Sequence, residues 1–136
     1  MNTLEEGNEL MLDFKKLVKA VAGSPEILPV AVQHADTGEV ILLAYTNRLA
    51  FEEALKKKRA IFWSTSRNEL WEKGKQSGET FDLIDVYVNC EQNSLLYKVR
   101  PRHGKICHTR NRAGTPRNCF YRRLNPDAMT LDNLDP

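Results

Sequence analysis

Residues 27–44, ILPVAVQHADTGEVILLA, contain two apolar runs on either side of Asp36-Thr37-Gly38. The runs extend from Ile27 to Gln33 and from Val40 to Ala44, and both are rich in residues that favour strands. The Asp-Thr-Gly segment has the turn chemistry of a hairpin connection. The stretch therefore predicts two antiparallel strands joined by a short turn.

One helix is predicted before this hairpin and another after it. Apolar residues recur at helical spacing before Gly23 and Pro25, which predicts an amphipathic helix near residues 4–22. Asn47 is a predicted N-cap for a short helix that ends near the lysines at 56–58.

Three further strands are predicted after this helix. They cover residues 60–64, 81–90 and 95–99, with a long polar segment at 65–80 and an irregular basic segment at the end. Within 81–90, Cys90 shares its parity with Ile84, Val86 and Val88, which predicts that Cys90 points to the apolar side.

Length and composition limit the class of protein. The chain has 136 residues, 41% of them hydrophobic and 28% charged, as expected of one soluble globular domain. No apolar run is long enough to span a bilayer, and the acidic N-terminus lacks the pattern of a secretory signal. We therefore expect a cytoplasmic protein without a membrane partner.

Charge is distributed unevenly although the net charge is only +2. Between Glu91 and Asp127 there is no carboxylate, and nine lysines and arginines lie there. This segment predicts an anionic partner.

The chain has three cysteines, Cys90, Cys107 and Cys119, and His108 follows the second. An odd number cannot form a fully paired disulfide framework within one chain. Three thiolates with an open fourth position suit catalytic zinc, whereas buried cysteines that act as small hydrophobes are the alternative. Spacing leaves both readings open, because the chain has no C-x-x-C motif.

Several ordered motifs resemble the phosphoribosyl-AMP cyclohydrolase family of histidine biosynthesis. They are Leu28-Pro29-Val30-Ala31-Val32-Gln33, Asp36-Thr37-Gly38-Glu39-Val40, Leu43-Ala44-Tyr45-Thr46-Asn47, Phe62-Trp63-Ser64-Thr65-Ser66-Arg67, Leu70-Trp71-Glu72-Lys73-Gly74, Ser77-Gly78, Cys107-His108-Thr109 and Cys119-Phe120-Tyr121-Arg122. The resemblance runs over residues 28–122. It implies a family domain at 27–124, between a helical N-terminal extension at 1–26 and a C-terminal tail at 125–136.

The resemblance implies an α+β fold with a mixed, rolled sheet, and an intertwined homodimer with zinc between cysteines of both subunits. It implies Cys90, Cys107 and Cys119 as the zinc ligands. The implied reaction is hydrolysis of the N1–C6 bond of the purine ring of phosphoribosyl-AMP, with His108 as candidate general acid or base. The substrate carries two phosphates, which favours Arg67 as phosphate ligand. The other predicted substrate-binding residues are Ser64, Ser66, Trp71, Lys73 and Ser77.

The sequence departs from the family at the residues that the resemblance implies for a second metal, magnesium. Where the resemblance implies aspartates that hold magnesium, this chain has Asn89, Glu91 and Asn93 around Cys90. On a strand these three residues would share the face opposite Cys90. Magnesium prefers oxygen ligands that include carboxylates, so we expect weak magnesium binding or none. Further departures are His34, Thr65, Phe81 and an apparent insertion at 112–116, which suggest a divergent paralogue.

Three alternatives follow from these departures and from the charge. One is a zinc hydrolase of the same fold that acts on a different amidine-containing nucleotide or base. Another is a zinc-stabilised pseudoenzyme. A nucleic-acid-binding module, suggested by the basic segment with Phe120 and Tyr121, ranks last because no zinc-finger spacing or recognition helix is present. We therefore expect no nucleic-acid partner.

Overall fold

The computed structural model describes residues 2–75, 80–102 and 109–136. Its elements in chain order are α1 (Thr3–Glu6), α2 (Lys16–Gly23), β1 (Leu28–His34), β2 (Val40–Thr46), α3 (Arg48–Lys57), β3 (Ile61–Ser64), β4 (Glu69–Glu72), β5 (Phe81–Val88), β6 (Leu95–Pro101), β7 (Arg122–Asn125) and β8 (Thr130–Asn133).

A four-stranded sheet with the order β2-β1-β6-β5 forms the centre of the fold. β1 pairs antiparallel with β2 and parallel with β6, and β5 pairs antiparallel with β6. The predicted hairpin at 27–44 is confirmed, with Leu28 opposite Thr46. The predicted α+β class with a mixed sheet is confirmed as well, since short helices accompany this sheet.

The core lies between the central sheet, the β3–β4 hairpin and helix α3. Val30 and Val32 of β1 and Tyr97 and Val99 of β6 are fully buried. Helix α3 contributes small residues, Ala50 and Ala54, which let the helix lie close to the strands. The predicted cap is confirmed, because the Asn47 side chain accepts a hydrogen bond from the Ala50 amide at 2.9 Å.

The N-terminal region differs from its prediction. Instead of one helix near 4–22, the chain forms α1 and α2 with a non-helical segment between them. Apolar spacing continued through this segment, but Glu9 forms a bridge with Thr130 of β8, and the Asp13 side chain accepts from the Lys15 amide at 3.1 Å. Both contacts lie within the non-helical segment 7–15, which separates α1 from α2.

Two regions expected to lack regular structure contain strands. β4 lies within the polar segment at 65–80 and pairs with β3, with Trp71 opposite Phe62. The C-terminal segment, expected to be irregular, forms the β7–β8 hairpin. This hairpin includes residues on both sides of the predicted boundary at 124/125, and that boundary stays a prediction.

Residues 2–9 pack against residues 117–135, and we call this contact the terminal join. Arg117, only 3% exposed, donates to both carboxylate oxygens of Glu6 at 2.7 and 3.2 Å. Tyr121 donates from its hydroxyl to the Glu5 carbonyl at 2.6 Å. Burying a guanidinium is costly unless it is paired, so Glu6 keeps this corner of the molecule folded.

The terminal join predicts a pH-dependent stability. The hydrogen bonds from Arg117 hold the pKa of Glu6 below its ordinary value of 4.5. Because the carboxyl pKa is lower in the folded state, the pair stabilises the fold fully above pH 4.5. This stabilisation is lost as the pH falls through the lowered pKa. We expect Glu6→Gln to be less stable than wild type at neutral pH, with the gap closing as the pH falls below 4.5.

Urea unfolding midpoints measured across this pH range check the expectation. Glu26→Gln, which changes another carboxylate of the N-terminal region, is the matched control and should follow wild type at every pH. An equal gap between Glu6→Gln and wild type at neutral and acid pH would contradict the role given to this pair.

Among the described residues, no helix combines the length and the apolar character needed to cross a bilayer.

Candidate functional site

Cys90 lies in the turn between β5 and β6, and its side chain is exposed. The predicted apolar orientation is therefore wrong. The pairing register of β5 with β6 shifts between Leu83 and Asp85, so Leu83 and Val86 both pack against the core although their parities differ. β5 ends at Val88, before Cys90 is reached. The irregularity takes Ile84 out of the predicted alternation, whereas Cys90 leaves it because the chain has already turned away from the strand.

The residues on either side of Cys90 are joined by their own side chains. Asn89 donates from its side-chain amide to the Asn93 side-chain oxygen at 2.6 Å, and its own oxygen accepts from the amides of Asn93 and Ser94, both at 2.9 Å. Asn93 also donates to Glu91 at 3.4 Å. We call this arrangement the amide clasp. The expectation that Asn89, Glu91 and Asn93 share the face of a strand is wrong, because they form this turn instead.

The amide clasp does not fit a magnesium ion. Magnesium demands near-octahedral oxygen coordination, usually with carboxylates. Here the Asn89 oxygen is occupied by two backbone amides, and the Asn93 oxygen by the Asn89 amide. Only Glu91 supplies a carboxylate. Weak magnesium binding at this turn, or none, stays a prediction.

Cys119 lies beside strand β2 and is also exposed. Its backbone amide donates to the Ile41 carbonyl of β2 at 2.9 Å. Cys119 and Phe120 line a cavity of 230 Å³ together with Met11 and Leu12 of the N-terminal segment. The cysteine therefore lies between the central sheet and the N-terminal extension.

These positions place Cys90 and Cys119 near opposite edges of the central sheet. β2 and β5 are the edge strands, and three spacings separate them, which is about 14 Å. Two sulfurs on one zinc ion lie less than about 5 Å apart, since each Zn–S bond is about 2.3 Å. Cys107 and His108 lie outside the described residues. Within the described ranges, no three histidine, cysteine or acidic side chains form a group that could hold a metal ion.

The structure brings together three of the predicted substrate-binding residues. Ser64 ends β3, and Ser66 and Arg67 follow in the β3–β4 turn. The two serine hydroxyls are 3.3 Å apart, and Arg67 donates from both its backbone amide and its Nε to the Ser64 hydroxyl at 3.4 Å. Arg67 also pairs with Glu69 at 3.4 Å, but both side chains are more than half exposed. Such a pair is weak enough for a phosphate to replace it.

Trp71 and Lys73 lie at the other end of the same hairpin. The centres of the Trp71 and Phe62 rings are 5.6 Å apart, and Trp71 also lines a cavity of 370 Å³ with Arg67 and Lys75. Lys73 lies over the Phe81 ring, with its ammonium 5.7 Å from the ring centre. Ser77 lies outside the described residues. The binding roles of these residues stay predictions.

A larger cavity of 730 Å³ was not predicted from the sequence. It lies where the end of α2 meets the β3–β4 turn and the start of α3. The Trp63 indole donates to the Ser24 hydroxyl at 3.1 Å, and that hydroxyl donates to Asn68 at 2.6 Å. Arg48 also lines this cavity. In the sequence, Ser24 lies between Gly23 and Pro25, which indicate only the end of a helix, so no local pattern pointed to this cavity.

Part of the basic segment is already paired with carboxylates. Arg100 donates to both oxygens of Asp36 at 2.8 and 2.7 Å, and Arg102 pairs with Asp82 at 3.0 Å. The hydrogen bonds from Arg100 hold the pKa of Asp36 below its ordinary value. These pairs support a solvated basic surface at 98–102 rather than a second anion site.

Comparison with known proteins gives concordant results. A family model described as phosphoribosyl-AMP cyclohydrolase matches residues 42–121. The chain is 36% identical to the phosphoribosyl-AMP cyclohydrolase of Desulfotalea psychrophila over 89% of this chain and 87% of that protein. It is 40% identical to the phosphoribosyl-AMP cyclohydrolase of Nitrosopumilus maritimus over 83% of this chain and 93% of that protein.

A longer relative is also similar. The chain is 45% identical, over 72% of its length, to the histidine biosynthesis bifunctional protein HisIE of Thermus thermophilus. It spans only 43% of that bifunctional protein.

Proposed function

The chain belongs to the phosphoribosyl-AMP cyclohydrolase family, and on that premise we propose that it hydrolyses the N1–C6 bond of the purine ring of phosphoribosyl-AMP in histidine biosynthesis. The observation that carries this proposal is the extent of the family match. Residues 42–121 include all three cysteines and the turn that holds Ser64, Ser66 and Arg67. The predicted enzyme class, a cyclohydrolase, follows from the same membership.

Zinc is the metal that we propose for this site, with Cys90, Cys107 and Cys119 as its ligands. Thiolates suit zinc, and three of them leave one coordination position open. When bound, zinc lowers the pKa of water toward neutrality and so supplies a nucleophile. The exposure of Cys90 and Cys119 supports this assignment, because buried thiols acting as small hydrophobes would be shielded.

We propose that each zinc site is shared by two copies of the chain. The estimate of about 14 Å between the two edges of the sheet is too long for Cys90 and Cys119 of one chain to bind one ion. Cys119 of one subunit and Cys90 of the partner subunit can meet without any change in the sheet. A homodimer then provides two equivalent sites.

The remaining roles follow from residue chemistry. His108 is proposed to move the proton during water addition, since an imidazole can both accept and donate a proton near neutral pH. Arg67, with the Ser64 and Ser66 hydroxyls, is proposed to bind a phosphate of the substrate. Because the amide clasp does not fit magnesium, no step of the proposed mechanism uses that metal.

The test is incubation of the zinc-loaded protein with phosphoribosyl-AMP, with and without magnesium, while ring opening is followed by absorbance. We expect turnover that survives magnesium removal and is lost on zinc removal. Arg67→Ala should raise KM more than it lowers kcat, by roughly tenfold or more, because it removes a charge-assisted bond to phosphate. Arg100→Ala, which removes a surface arginine paired with Asp36, is the matched control and should behave as wild type.

Absence of turnover would reject this function and leave the pseudoenzyme alternative. In that case, ring opening of a different amidine-containing nucleotide by the same zinc-loaded protein would identify the paralogue alternative.

A further inference from the structure

An apolar surface on the N-terminal extension is exposed in the single chain. Met11, Leu12, Phe14, Leu17, Val18 and Val21 are all substantially exposed, and we call this set the apolar ridge. Phe14 is 84% exposed and Val18 is 71% exposed. Leu17, Val18 and Val21 lie on one face of α2, and Phe14 lies in the turn that precedes this helix.

The ridge is attached to the body of the chain at both ends. Before it, the Leu131 amide of β8 donates to the Asn8 carbonyl at 2.8 Å. After it, Ser24 is bonded to Asn68 and to Trp63, and Ala20 of α2 is buried. The body of the chain therefore holds the ridge with its apolar side outward.

We infer that the apolar ridge is an interaction surface that packs against strand β5 of a second copy of this chain. The inference rests on the proposed function, because it uses the shared zinc site to orient the two copies. It adds to that proposal the surface that holds them together.

The first argument for a second copy of the chain as the partner is that the apolar ridge is continuous with the proposed zinc site. Met11 and Leu12 line the same cavity as Cys119 and Phe120. If Cys119 meets the partner's Cys90, the ridge must approach the strand that leads into that residue. That strand is β5, which ends two residues before Cys90.

Strand β5 offers a complementary surface. It is an edge strand, and Ile84, Tyr87 and Val88 on it are between two-fifths and just over half exposed. Soluble proteins rarely leave an apolar edge strand uncovered. The charges also match, since Lys15, Lys16 and Lys19 flank the ridge, while Asp85 and Glu91 lie near the exposed residues of β5.

The size of the ridge is the third argument. At roughly 150 to 200 Å² for each fully exposed large side chain, its six residues present roughly 600 Å². Monomers rarely expose a contiguous apolar patch above about 600 Å², whereas a standard interface buries about 800 Å² per partner. With Phe120 and the proposed zinc site included, the surface reaches the size that a stable dimer needs.

The test compares the oligomeric state of exposed-residue variants by sedimentation at micromolar concentrations. We expect Phe14→Asp with Val18→Asp to raise the dimer dissociation constant at least about 100-fold, because two charges would enter an apolar contact. Ile84→Asp, on the opposing surface, should have an effect in the same direction. Leu55→Asp, an exposed apolar position on α3, is the matched control and should stay dimeric.

A cooperative thermal melting curve of the monomeric ridge variant must show that the variant is folded. Unchanged dimerisation of the ridge variant would overturn the inference, and so would a monomeric wild-type protein. A wild-type monomer that binds anionic phospholipid vesicles through the ridge would assign this surface to a lipid surface instead.

The two proposals fail separately. If wild type turns over phosphoribosyl-AMP but ridge variants stay dimeric, the function stands and the interface is wrong. If the ridge variants dissociate but wild type shows no turnover, the interface stands and the function is wrong.

Discussion

Equal amounts of Cys90→Ser and Cys119→Ser, each inactive alone, should recover about one quarter of wild-type turnover and zinc content when assembled together. Each variant alone lacks a ligand at every site and should lose at least about 100-fold in activity. In a mixed dimer, one site carries both substitutions and the other carries neither. Random pairing makes about half of the dimers mixed, so about one site in four is intact.

The experiment requires that the subunits exchange, which different affinity tags on the two variants will demonstrate. Pairing Cys107→Ser with each of the others then assigns the third ligand. Recovery with Cys90→Ser but not with Cys119→Ser places Cys107 and Cys119 in the same subunit. A mixed dimer that is isolated and shown to lack both zinc and turnover would refute a site shared between Cys90 and Cys119 of different chains.

Replacing the amide clasp by carboxylates should create dependence on magnesium. Asn89→Asp with Asn93→Asp removes the bond between the two side chains and places two like charges within bonding distance. We expect a melting temperature roughly 3 to 6 °C lower without magnesium, because about 1 kcal/mol or more is lost. Millimolar magnesium should restore it by neutralising the charges. Wild type should show no change with magnesium.

Calorimetry of magnesium binding to both proteins is the second measurement. Asn125→Asp with Asn133→Asp is the matched control, since those side-chain oxygens accept backbone hydrogen bonds that a carboxylate can also accept. Tight binding of magnesium to wild type, abolished by Glu91→Gln, would show that the clasp is a metal site after all.

Local chemistry was sufficient to predict several elements of the fold. The hairpin at 27–44 and the Asn47 cap each depend on residues close together in the chain. β4 was missed because its four residues carry a glutamate at each end, and its pairing depends on Trp71 meeting Phe62. The break between α1 and α2 was missed because Glu9 bridges to Thr130, which no local pattern reveals.

The same limit applies to the candidate site. Ser64, Ser66 and Arg67 are neighbours in sequence, so their proximity in a turn could be predicted. The orientation of Cys90 could not, because β5 ends at Val88 although the alternating pattern of the sequence continues to Cys90. The separation of Cys90 from Cys119 depends on the strand order, which only the assembled sheet defines.

The terminal join has a consequence for the order of folding. Arg117 and Glu6 are 111 positions apart, and Tyr121 and Glu5 are 116 positions apart. Contacts between such distant positions close large loops and form slowly compared with the β1–β2 hairpin. During synthesis, residues 2–9 emerge well before residues 117–135 and can form the terminal join only after those have been made. Cys119, two positions from Arg117, therefore reaches its final place only after most of the chain has left the ribosome.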